Sequence, residues 1–118
     1  MEDGGDHIVG VARTFFDMHL ADPALIEAAA KHVGLSVRTL SRRFSAATGV
    51  TPRDYVLELR MARAMRLLSA TRLSVDTIAE MIGYSDRSSF ARMFRRKVGL
   101  PPAEYRIRFL EGDNAETS

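Results

Sequence analysis

The chain has 118 residues, 46% of them hydrophobic and 27% charged, a composition of one ordinary globular domain and not of a disordered or fibrous protein. It contains no cysteine, which excludes disulfides, thiolate metal sites and cysteine nucleophiles together. The net charge of +2 conceals an asymmetry, because 15 of the 17 Lys+Arg but only 6 of the 15 Asp+Glu lie between Ser36 and Arg108.

Residues 1–6 and 110–118 are acidic and polar and read as frayed ends flanking one domain over 7–109. No stretch approaches the roughly 20 apolar residues of a membrane span, and none has a signal peptide's layout, so a soluble cytoplasmic protein is expected. The first predicted helix places Ile8, Ala12, Phe15, Phe16 and His19 on one face, with Asp6 as its N-cap. Asp22-Pro23 reads as the next start, with Asp capping and Pro at the first helical position. Ile26, Ala29, Ala30 and Val33 then face inward as far as Gly34. Ser36 caps a third helix whose inward stripe is Val37, Leu40, Phe44 and Ala47, ended by Gly49. Thr51-Pro52 opens a long helix to about Ala70, with Val56, Leu57, Leu59, Met61, Ala64, Leu67 and Leu68 apolar. Ser74 caps a short helix burying Val75, Ile78, Ala79 and Ile82 before Gly83. Ser85 caps the following one, burying Phe90, Phe94 and Val98 before Gly99, and Pro101-Pro102 begins a last helix through Tyr105 and Ile107. The expectation is all-α, seven helices and no strand.

An internal repeat organises these elements. Ala30–Ser36 (AKHVGLS) matches Ala79–Ser85 (AEMIGYS) at an offset of 49, and one residue is then inserted. Thereafter Leu40, Arg42, Phe44, Gly49, Pro52 and Tyr55 match Phe90, Arg92, Phe94, Gly99, Pro102 and Tyr105 at an offset of 50. A short alanine-rich helix, a glycine-centred turn and a serine-capped second helix describe a helix-turn-helix. Small residues (Ala29, Ala30, Ala79) allow close helix crossing, and Gly34 and Gly83 supply the positive φ such a turn needs. The two units are expected at about 23–49 and 74–99, joined by the linker helix at about 52–70.

At about 100° per residue, Arg38, Ser41, Arg42 and Ser45 share a narrow stripe opposite Leu40 and Phe44. The second copy repeats it with Ser88, Ala91, Arg92 and Arg95. Neither stripe holds a carboxylate, unlike solvated helices that mix both signs, so each suits an approach to phosphates and base edges. A linker of about 18 residues spans roughly 27 Å. Successive major-groove faces lie about 34 Å apart, so one chain is expected to reach both without dimerising.

The segment from Ile78 to Tyr105, IAEMIGYSDRSSFARMFRRKVGLPPAEY, together with LSVRTLSRRFSAATGVTPRDY in the first copy, resembles the DNA-binding domain of the AraC/XylS family of bacterial transcription regulators. The resemblance covers roughly Ala24 to Arg106 and is nearest to regulators with an amidotransferase-like sensor domain. It implies a seven-helix, two-lobed domain that binds about two turns of promoter DNA and activates transcription. Residue by residue, it implies base contacts from Arg38, Ser41 and Arg42 in the first recognition helix and from Arg87, Ser88 and Arg92 in the second. Ser41 is shorter than the glutamine-like readers common there, and Ala91 offers only apolar contact. Phosphate contacts are expected of Ser36, Thr39, Ser45, Ser85, Ser89, Arg95 and Arg96. The expected partners are double-stranded promoter DNA and RNA polymerase. A monomer of the isolated domain is compatible with this reading, with dimerisation supplied by a sensor domain where the full protein has one.

No paired carboxylates flank a nucleophile, and neither a GxGxxG nor a GxxxxGKS/T loop is present, so neither an enzyme nor a cofactor is expected. His7, His19 and His32 lack ligand spacing, so no metal is expected. Two other readings fit the same helices: a targeting module of a transposase or recombinase, and a protein-binding helical adaptor. A steep loss of affinity with salt distinguishes DNA binding from the adaptor.

Overall fold

Buried positions recur at helical spacing in each segment, and the computed structural model, which describes residues 3–110 with side chains from His7 onward, folds accordingly. Its helices are α1 (Asp3–Met18), α2 (Leu25–Val33), α3 (Val37–Thr48), α4 (Pro52–Ala70), α5 (Val75–Met81), α6 (Arg87–Val98) and α7 (Pro102–Phe109). The described residues contain no strand. The chain divides into two compact units, 1–59 and 60–118, so the first half of α4 completes one unit and its second half opens the other.

In the first unit Val9, Ala12, Phe16 and Leu20 of α1 and its following turn are buried with Leu25, Ala29 and Ala30 of α2 and Leu40 and Phe44 of α3. The rings of Phe16, Phe44 and Tyr55 meet at centroid distances of 5.4–5.9 Å. In the second unit Met61, Ala64 and Leu68 of α4 are buried with Val75, Ile78, Ala79, Ile82, Phe90 and Phe94. Phe94 packs edge-on against Tyr105 at 5.5 Å, as Phe44 does against Tyr55 at 5.4 Å. Each buried phenylalanine contributes about 1.5–3 kcal/mol through apolar burial.

The repeat seen in the sequence is also a repeat of backbone hydrogen bonds. Gly34 N–H donates to Lys31 and Leu35 N–H to Ala30, and Gly83 and Tyr84 donate to Glu80 and Ala79 in the same pattern, 49 residues on. These paired bonds end α2 and α5 with the glycine left-handed, at φ 76° and 95°. By the start of the next helix the offset has become 50, because Ser36 accepts from Thr39 N–H whereas Asp86, not Ser85, accepts from Ser89 N–H. Ser85 is therefore the inserted residue, and the expectation that it caps α6 is corrected. The carboxylate also accepts from the Ser89 hydroxyl at 3.0 Å, which a serine at that place would not match with a second oxygen.

Other details differ from the sequence reading. Asp22 does not cap α2: its Oδ1 accepts from Ala24 N–H in a tight turn, and the helix begins two residues after Pro23, at Leu25. Helix α1 already includes Asp3–Asp6, so Asp6 lies inside it and not at its cap. Met1 and Glu2 and residues 111–118 lie outside the described residues. Leu110 is buried and its N–H donates to Arg106, so it belongs to the second core and not to a tail. Val37, Ala47 and His19 face solvent. Ser74 and Thr51 do cap α5 and α4, accepting from Thr77 and Asp54 N–H.

The caps give two measurements. Asp86→Ala should lower the melting temperature by roughly 3–6 °C, while Ser85→Ala should leave it within about 1 °C of the parent. The two bonds from Ser89 hold the Asp86 carboxyl below its ordinary value of 3.8. A depressed folded pKa means that this stabilisation is full above that value and is lost as pH falls through the lower folded one. Carboxyl NMR should place the Asp86 midpoint below 3.8 in the folded chain, and Ser89→Ala should move it upward.

Candidate nucleic-acid interface

Helix α3 buries Leu40 and Phe44 completely, and this i, i+4 pair fixes its roll. Arg38 and Arg42 are exposed on the other side, with Ser41 and Ser45 half-buried at its margins. Its N-terminus is held by neutral groups: Ser36 accepts from Thr39 N–H and donates to the Thr39 hydroxyl, both at 3.0 Å. The first turn holds no acidic residue, so the partial positive charge of the free amides is not cancelled.

Helix α6 repeats this arrangement with Phe90 and Phe94 fully buried. Arg87, Ser88, Arg92, Arg95 and Arg96 are exposed, and Ser89 and Ala91 are half-buried. Arg87 lies 4.0 Å from Asp76, and with both side chains more than half exposed the pair is weak and leaves the guanidinium free to turn. The first turn differs in charge from that of α3, because the capping group is the Asp86 carboxylate. Ser85, displaced from the cap, is exposed in the preceding turn.

Beside α6 lies a groove of about 610 Å³ lined by Tyr84, Ser89, Arg92, Met93, Arg95 and Arg96. Four of these six were candidates from the sequence; Tyr84 and Met93 were not. Tyr84 packs on Phe90 at 5.7 Å and carries the Arg60 guanidinium at 5.9 Å from its ring. Burial raises its hydroxyl pKa, a shift that Arg60 partly offsets, so the group stays a neutral donor. The signal for Tyr84 was the replacement of Leu35 by an aromatic at the equivalent turn position.

The candidates thus form two sets, Ser36, Arg38, Thr39, Ser41, Arg42 and Ser45 on the first unit and Ser85 to Arg96 on the second. A further groove, about 590 Å³, runs along α1 and shares no residue with the α3 stripe. It brings together His7, His19 and His32, which the sequence leaves scattered, around Phe15. Among the described residues no group of three His, Cys, Asp or Glu is placed to hold a metal ion, and no helix is long and apolar enough to cross a membrane.

Comparison with known proteins extends this geometry. A family profile described as a helix-turn-helix domain matches residues 29–108. Over 88 residues the chain is 40% identical to the HTH-type transcriptional activator RhaS of Escherichia coli O139:H28, a match covering 75% of this chain and 32% of RhaS. The chain therefore spans about a third of the length of the curated relatives it matches. A transcriptional regulator of the AraC-type DNA-binding class from Chromobacterium violaceum has 29% identity and a TM-score of 0.77, covering 93% of this chain and 98% of that one. The DNA-binding domain of AdpA, a global transcriptional factor solved with a target DNA, has 31% identity and a TM-score of 0.79, covering 86% and 91%. The profile takes in both capped, arginine-bearing helices, and the chain belongs to the AraC/XylS-type helix-turn-helix family.

Proposed function

We propose that this chain reads double-stranded promoter DNA by placing α3 and α6 in successive segments of the major groove. The observation that carries the reading is the recurrence of an exposed arginine, Arg42 and Arg92, opposite a fully buried aromatic in each unit. A guanidinium fork there matches O6 and N7 of guanine. Arg38, Ser41, Arg87 and Ser88 lie on the same exposed faces and complete the base-reading sets. Ser36, Thr39, Ser45, Ser89, Arg95 and Arg96 hold phosphates that fix register, and Ser85 adds a hydroxyl from the turn. The complex of AdpA with DNA and the activator role of RhaS support this reading. We extend this reading to transcription activation through RNA polymerase in the bacterial cytoplasm, with one chain sufficient for both groove segments.

Arg42→Ala and Arg92→Ala should each weaken binding to the preferred duplex by about 1–3 kcal/mol, read by fluorescence anisotropy, with helix content unchanged by circular dichroism. Parent-like affinity in both variants would rule out the groove assignment.

A further inference from the structure

The turn before α6 carries an aromatic residue where the first unit has an aliphatic one. Leu35 and Tyr84 close their turns with the same backbone bond, their N–H groups donating to Ala30 O and Ala79 O. A second difference accompanies the first. Val9, Ala12 and Phe16 of α1 and Met61, Ala64 and Leu68 of α4 are all buried at a common offset of 52, which sets Arg60 in the place of Ile8. Arg60 is the cation that lies 5.9 Å from the centre of the Tyr84 ring. Two aliphatic residues of the first unit, Ile8 and Leu35, are thus an arginine and a tyrosine in the second.

Packing does not account for the Tyr84 hydroxyl. The ring meets Phe90 at 5.7 Å and the Arg60 guanidinium, contacts that a phenylalanine would make equally. Among the described residues the phenol oxygen makes no hydrogen bond with the protein. The half-buried side chain lines the groove of about 610 Å³ together with Arg92, Arg95 and Arg96. It also lines a smaller hollow with Asp76, Glu80 and Asp86, but none of these carboxylates accepts from it, and Asp86 has both oxygens on Ser89. A neutral donor beside three guanidiniums calls for an acceptor that brings negative charge. The first unit lacks this combination: at the offset of 50, Ser45 and Ala46 stand where Arg95 and Arg96 do, and Leu35 has no donor. It keeps two cations there, Arg42 and Arg43.

We propose that Tyr84 is a further DNA-binding residue of the second unit: its hydroxyl donates to a backbone phosphate oxygen beside the box read by α6, where Arg95 and Arg96 supply the charge. This rests on the DNA reading proposed above and adds to it a contact that is blind to base sequence. The phenol suits the role. A hydrogen bond to an ionised acceptor is about twice as strong as one between neutral groups. Burial keeps the hydroxyl protonated, so the proton is there to donate. The Arg60 cation over the ring face holds the ring and draws charge from the oxygen, which strengthens the O–H as a donor.

Tyr84→Phe keeps the ring on Phe90 and under Arg60 and removes only the hydroxyl; circular dichroism and the melting temperature check that the fold is intact. Binding is read by fluorescence anisotropy over a range of salt, on the preferred duplex and on an unrelated duplex of the same length. Tyr84→Phe should lose about tenfold on both duplexes, the loss expected of a hydrogen bond to a charged group. Its salt dependence should match the parent's, because a neutral donor displaces no counterion. Arg95→Ala, by contrast, should lower the slope of log affinity against log salt by about one. Methylphosphonate placed at each phosphate beside the second box in turn should reveal one whose replacement costs the parent more than it costs Tyr84→Phe. Affinity of Tyr84→Phe within about twofold of the parent, a loss confined to the preferred duplex, a flattened salt slope, or no such phosphate overturns the contact. A parent that binds neither duplex overturns the DNA reading itself, and this inference with it.

Discussion

The burial of one i, i+4 pair in each recognition helix, Leu40 with Phe44 and Phe90 with Phe94, its second ring edge-on against Tyr55 or Tyr105, sets the direction of the candidate side chains on that helix. Helices α3 and α6 are 12 residues each and bury little besides their i, i+4 pairs, so their roll about the axis rests on those pairs. Rotating either helix by one residue, about 100°, would carry its arginines away from the exposed side and expose an aromatic ring. The cost of exposing a fully buried phenylalanine, about 1.5–3 kcal/mol or more, is a large fraction of the stability of so small a unit. Core packing and groove reading are two faces of the same constraint.

Within that constraint the two units have diverged at their caps. The first recognition helix starts from a neutral hydroxyl and the second from a carboxylate with both oxygens in use. The amides of α3 therefore keep their attraction for an anion, whereas those of α6 face a fixed negative charge of the chain itself. The second unit compensates with a cationic final turn, Arg95, Arg96 and Lys97, where α3 has no basic residue. Unequal ends make unequal sites, and identical half-sites are not expected of such a chain.

The helices were legible because glycine, proline and cap residues mark their ends and apolar residues recur at 3.6-residue spacing. The exposed arginines were legible for the same reason, since the period that buries Leu40 and Phe44 points Arg38 and Arg42 the other way. What the sequence left hidden depended on competition between near-equal local bonds. Ser85 and Asp86 are both good caps, and only the register of α6 on its core decides that Asp86 sits three residues before the amide it accepts from. Asp22 satisfies Ala24 N–H two residues on, which delays α2 past the proline. Val37, the first residue of α3, has no preceding turn to cover it and is 40% exposed. Tyr84 and Met93 belong to the groove only because Phe90 and the α6 backbone place them there, and Arg106 finds its partners 35 and 38 residues back, beyond any local pattern.

Selection of binding sites from random duplex DNA by the chain tests the central claim most directly. Two dissimilar boxes about one helical turn apart, with binding that falls steeply between about 50 and 200 mM salt, are the predicted result. Recovery of a palindrome, of a single box, or of no preferred sequence would contradict the account.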